Sequence, residues 1–79
     1  MSMSDNVKAV LALTGKKQIE LAQHFGMSKQ TMSNKVARDG WSGYDLAKVA
    51  EFCGGHLAIV LPNGQQLILS VEKNVSPDE

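Results

Sequence analysis

The strongest constraint on this chain is a single glycine. Gly26 interrupts "QIELAQHFGMSKQTMSNKV" (residues 18–36) between two stretches whose apolar residues recur at helical spacing. Before it run Ile19, Leu21, Ala22 and Phe25. After it, Met32 and Val36 form a thin apolar seam under Lys29, Gln30, Thr31, Ser33, Asn34 and Lys35. Glycine tolerates the left-handed backbone that ends a helix sharply, and Ser28 is placed to cap the next one. Two short helices must therefore meet at a tight turn. Ala22 is small where the second helix crosses over it, and Met27, Met32 and Val36 anchor the turn and the second helix to a core. The outer face of that second helix is broad, polar and rich in long hydrogen-bonding side chains.

The rest of the chain supplies the frame. Ser4 followed by Asp5 predicts a helix start, Val7, Val10, Leu11 and Thr14 continue it, and Gly15 stops it. Asp39-Gly40 marks a turn. Ser42 with Asp45 three residues on opens a fourth helix, with Leu46, Val49, Ala50 and Phe52 or Cys53 inward and Gly54-Gly55 as its stop. Helices are expected at about 4–14, 17–25, 28–38 and 43–53.

The period then changes. "HLAIVL" and "QQLILSV", separated by "PNG", predict a β-hairpin over about 56–71. Pro62 fits as the first residue of a type I turn, with Asn63 second and Gly64 left-handed. Leu61 then pairs with Gln65, Ile59 with Leu67 and Leu57 with Leu69. The face made of Leu57, Ile59, Leu61, Leu67 and Leu69 is expected to cover the helical core. The opposite face carries Ala58, Val60 and Ile68, a candidate homodimer interface. The fold class is mainly α: four helices followed by a C-terminal hairpin in one domain over residues 1–71, with a loose tail at 72–79.

Composition sets the functional class. The formal net charge is zero across 79 residues, but it is unevenly placed. Between residues 16 and 38, five cations against Glu20 alone give +4, and the remainder carries −4. No apolar run reaches the ~18 residues of a membrane span. A lone cysteine, Cys53, fits a reducing, cytoplasmic setting. His24 and His56 lack partners at metal spacing and read as surface residues, and Trp41 and Tyr44 read as packing. No metal, cofactor or small-molecule ligand is implied. No nucleophile with a base, paired carboxylates or phosphate-cradling loop is present, so the chain does not read as an enzyme.

Gln18, Ala22, Gly26, Met27, Ser28, Thr31, Met32, Ser33 and Val36 stand at the spacing of the phage repressor and Cro-like (XRE-type) helix-turn-helix family. With its flanking helices, the segment from about 4 to 53 resembles that family. The resemblance implies double-stranded DNA as partner, with the helix at 28–38 in the major groove. It also implies base contacts from Lys29, Gln30 and Asn34, a phosphate contact from Gln18, and Thr31 and Ser33 on backbone or bases. Lys17, Lys35 and Arg38 are the cations expected on phosphate. Gln and Asn can read adenine bidentately, and Lys can reach guanine acceptors. Three departures stand out. Lys17 occupies the usual cap position, the hairpin replaces the family's last core helix, and the net charge is neutral. The reading implied is a prokaryotic or phage transcriptional regulator, homodimeric on a palindromic site. The alternative is a protein-interaction module, an antitoxin or adaptor, that binds its partner through the hairpin.

Overall fold

The structure, a computed structural model, describes residues 2–70. Four helices, α1 (Met3–Leu13), α2 (Gln18–Phe25), α3 (Lys29–Arg38) and α4 (Gly43–Phe52), precede a two-stranded hairpin of β1 (Leu57–Val60) and β2 (Gln66–Leu69). These bounds lie within two residues of the expected helices. The tail expected at 72–79 lies outside the described residues. Among those residues, no helix is long and apolar enough to cross a membrane.

One core holds the helices together. Val7 and Leu11 of α1, Leu21 and Ala22 of α2, Met32 of α3 and Val49 of α4 are buried, with Phe25, Met27, Val36, Trp41 and Leu46 among the residues packed around them. Leu21 and Met32 are fully enclosed, so the turn between α2 and α3 is braced from both sides. Ile19, expected inward, is 41% exposed, and Ala47, outside the expected set, is buried at 4%. Ala47 follows Leu46 on the inner side of α4 and is small enough to fit against its neighbours.

All four helices end in the same way. Gly15, Gly26, Asp39 and Gly54 take positive φ. Beyond each, a backbone N–H reaches back five residues: Lys16 to Leu11, Met27 to Ala22, Gly40 to Lys35 and Gly55 to Ala50. This arrangement satisfies carbonyls that a helix end leaves open. Three of these positions are glycine, which adopts φ near +70° without a Cβ penalty. The fourth is Asp39, at φ +56°.

The start of α1 differs from the expectation. Ser2, not Ser4, is the cap: its hydroxyl accepts the Asp5 N–H at 3.1 Å and its own N–H donates to Asp5 at 3.2 Å. Ser4 lies inside the helix and is 5% exposed. Its hydroxyl is occupied elsewhere, donating to the Val36 carbonyl at 2.8 Å and accepting from the Trp41 indole N–H at 2.8 Å. At α2, Lys17 offers no capping side chain. The Glu20 carboxylate instead accepts the Lys17 N–H at 2.8 Å, half of a capping box.

The hairpin has the anticipated register. Leu57 pairs with Leu69, Ala58 with Ile68 and Ile59 with Leu67. The Gly64 N–H closes the turn on the Leu61 carbonyl at 2.9 Å, and the Leu61 N–H reaches the Gln65 carbonyl at 2.8 Å. Its burial, however, corrects the expectation that one face covers the core. Only Leu57 and Ala58 are half-buried, where β1 meets α4. Ile59, Leu61, Leu67 and Leu69 are 49%, 46%, 58% and 37% exposed. The hairpin leaves the helices after its first residues, and alternation along a strand says only which side chains share a face.

Candidate nucleic-acid interface

The polar face of α3 stands clear of the core. Met32 is enclosed and Val36 half-buried, so the remaining positions of this helix point outward. Lys29, Gln30, Thr31 and Asn34 are exposed, while Ser33 is half-buried. The Ser28 hydroxyl accepts the Thr31 N–H at 3.1 Å and donates to the Thr31 hydroxyl at 2.9 Å, which fixes the first turn of α3. One turn on, the Gln30 side-chain amide donates to the Asn34 carbonyl oxygen at 3.1 Å. Two amides four residues apart thus form one polar unit on the outer face, with Asn34 donors and the Gln30 oxygen left outward.

The start of α2 sits beside the start of α3. Gln18, Ile19, Ala22, Lys29 and Met32 line a shallow dent of about 60 Å³ between them. Gln18 is half-buried and Lys17 exposed, both at the N-terminal end of α2. Arg38, in the last turn of α3, is exposed. These residues are gathered on the side of the domain that carries α3.

Lys35 is placed differently. Its ammonium donates to the Asp45 carboxylate at 2.7 Å and to the Gly40 carbonyl at 2.6 Å, and lies 5.0 Å from the centre of the Trp41 ring. The Lys35 and Asp45 side chains are only 12% and 20% exposed. The sequence expectation of a free, phosphate-directed lysine is therefore corrected: this cation ties the end of α3 to the start of α4. Burial raises the Asp45 pKa, but hydrogen bonds from Lys35 and the Ser42 N–H outweigh it and hold the carboxyl below its ordinary value.

A second joint, absent from the sequence reading, holds the same end of α3. The Asp39 carboxylate accepts the Ser4 N–H at 2.6 Å and the Met3 N–H at 3.4 Å, satisfying donors at the start of α1. The Ser4 N–H is the main reason its pKa lies below the ordinary aspartate value. The one positive-φ position without glycine among the described residues is thus the one whose side chain has a task. That break in the pattern of helix stops was the available signal. Trp41 joins this cluster through Ser4, whereas Tyr44 is 56% exposed. His24 stacks on Phe52 at 4.9 Å between centroids, so its ring is a packing element at the surface.

A short polar helix, fixed at both ends and preceded by a glycine turn, is the geometry of a helix-turn-helix reading element. The bacteriophage CI repressor helix-turn-helix domain matches residues 7–61, which span α1 to the turn of the hairpin. The chain belongs to that family. It is a DNA-binding regulator in the general sense that membership carries, and the family is not an enzymatic one. Neither the curated proteins nor the solved structures give a match. In this CI repressor-like domain the match runs beyond α4 into β1, so the first strand belongs to the family's unit rather than to an appendage.

Proposed function

We propose that the chain is a sequence-specific transcriptional regulator that enters the major groove of double-stranded DNA with α3, as a homodimer on a palindromic site. The observation that carries this reading is the outward Gln30–Asn34 pair on a helix pinned at both ends. In this reading Lys29, Gln30, Ser33 and Asn34 face base edges, and the amides suit adenine. Lys17, Gln18, Thr31 and Arg38 take the phosphate backbone, with the open N–H groups at the start of α2 adding to Gln18. Lys35 has no part in it. DNA as the target places the protein in the cytoplasm of a prokaryotic host.

The homodimer is supported by the hairpin. Val60 and Ile68 are 64% and 47% exposed, and with Ala58 they form the proposed interface. Two recognition helices about 34 Å apart read a palindrome, whereas one reads only a few base pairs. The same exposed hairpin is what favours the alternative, a protein partner of another kind.

Selection of bound duplexes from a random library, for wild type, Gln30→Ala and Asn34→Ala, tests the reading. Each substitution weakens the preferred site by about 1–3 kcal/mol and relaxes preference at one base position per half-site. Unchanged affinity and preference in both variants would sink it. Retention of an unrelated protein with no salt-dependent DNA binding would favour the alternative.

A further inference from the structure

Beside the hairpin, on the flank formed by α1 and α4, lies an open apolar groove of about 240 Å³. Met3, Asn6 and Val10 of α1, Leu46 and Ala50 of α4 and Leu57 of β1 are among its walls. No Asp, Glu, Lys or Arg lines it. Leu57 belongs to the same strand face as Ile59, Leu61, Leu67 and Leu69, so that face and the groove form one continuous apolar surface.

We propose that the groove receives the hairpin of a second copy of the chain, with each subunit seated in the other. This rests on the homodimer reading above and specifies its interface. The occupant is argued from charge and area. No charged residue occurs between Glu51 and Glu72, so the hairpin offers nothing to a charged partner and lacks the lysines that usually guard an exposed strand edge. The groove is equally free of charge. One chain thus carries both an apolar groove and an apolar hairpin that needs cover, and a two-fold axis joins them twice.

The layers follow from which face Leu57 shares. The Ala58–Val60–Ile68 face of one hairpin lies on the partner's groove. The Ile59–Leu61–Leu67–Leu69 faces of the two hairpins then stack on each other between the two helical bodies, at the ~10 Å spacing of packed sheets. The small Ala58 and Val60 suit the groove side, and the larger leucines fill the centre. The exposed fractions of Ile59, Val60, Leu61, Leu67, Ile68 and Leu69 amount to about three whole side chains per subunit. At about 100 Å² each, that is about 300 Å² of apolar side chain. Adding the groove wall and strand backbone brings it within reach of the ~800 Å² per partner of a stable interface.

Cross-linking of the full chain decides between arrangements. In a Cys53→Ser background, Asn6→Cys places a thiol at the groove rim and Ile68→Cys one on the hairpin face proposed to meet it. Mixed and oxidised at micromolar concentration, the two variants give a mixed disulfide several-fold above Leu13→Cys with Ile68→Cys, since Leu13 is 85% exposed and outside the groove lining. Dominant self-linking of Ile68→Cys would place the hairpins back to back, which overturns groove docking while the homodimer stands. No linkage above the Leu13 control, with a monomer by light scattering, overturns both. DNA binding, measured separately by fluorescence anisotropy, tells failure of the dimer from failure of the regulator reading.

Discussion

Lys35→Ala separates a structural cation from a DNA-contacting one. The ammonium makes two charge-assisted hydrogen bonds, at 2.7 Å to Asp45 and 2.6 Å to Gly40, and lies over the Trp41 ring. Exposed ion pairs contribute about 0–1 kcal/mol, but these side chains are 12% and 20% exposed, so little water competes. Hydrogen bonds to charged groups contribute about 1.5–3 kcal/mol each. Removing the lysine strands Asp45 only in part, because the Ser42 N–H at 3.1 Å still reaches it. The net loss is therefore nearer the lower end of the combined range, about 2–3 kcal/mol. For a domain of this size each kcal/mol moves Tm by about 4–8 °C, giving a drop of about 10–20 °C. Thermal denaturation followed by circular dichroism measures it, and a salt titration of DNA binding below the new Tm measures the other half. The salt slope stays at the wild-type value, since no phosphate contact is lost. A Tm within about 3 °C of wild type, together with a slope reduced by ~1, would show that Lys35 leaves Asp45 for a phosphate and would refute the reasoning.

Ser4→Ala removes the acceptor of the Trp41 indole N–H and the donor to the Val36 carbonyl, so urea unfolding gives a loss of about 1–3 kcal/mol, and a change under 0.5 kcal/mol counts against a stabilising joint. Asp39 and Asp45 both have folded pKa values below the ordinary one, so their stabilisation is complete above the unfolded value and is lost as pH falls through the folded values. Tm therefore declines below about pH 4, and an Asp39→Asn/Asp45→Asn double variant starts lower and shows a shallower decline; parallel profiles would contradict this. With Lys17 and Arg38 on phosphate in each of two subunits, log K against log salt has a slope of about −4, and a slope near −2 would indicate a single bound subunit.

What was legible in the sequence was local. Gly26, Ser28 and Met32 specify a helix stop, a helix start and an inward anchor within seven consecutive residues, and each acts through its own backbone or nearest turn. The hairpin register was readable for the same reason, because Pro62, Asn63 and Gly64 fix the turn and the turn fixes the pairing. What was not legible joins distant positions. Asp39 meets Ser4 across 35 residues and Lys35 meets Asp45 in the next helix, so each looked like an ordinary turn or surface charge. The fate of the hairpin was hidden differently. Alternation shows that Ile59 and Leu67 share a face, but only packing tells whether anything lies against it, and here the helices do not.

These joints bear on the shortage of charge. A neutral chain has few cations for phosphate, and this one commits Lys35 to Asp45 and the Trp41 ring, away from the reading face. The return is preorganisation. The end of α3 is tied to α4 through Lys35 and to α1 through Asp39 and Ser4, while Ser28 fixes its start. A recognition helix held at both ends loses little conformational freedom on entering a groove, so more of each base contact survives as affinity. Phosphate neutralisation supplies most non-specific binding, so holding back a cation weakens wrong sites and right ones alike, whereas a rigid reading helix favours the right ones. The design trades overall affinity for discrimination. Affinity must then be recovered by placing two such helices on one site, which gives the uncovered hairpin its purpose.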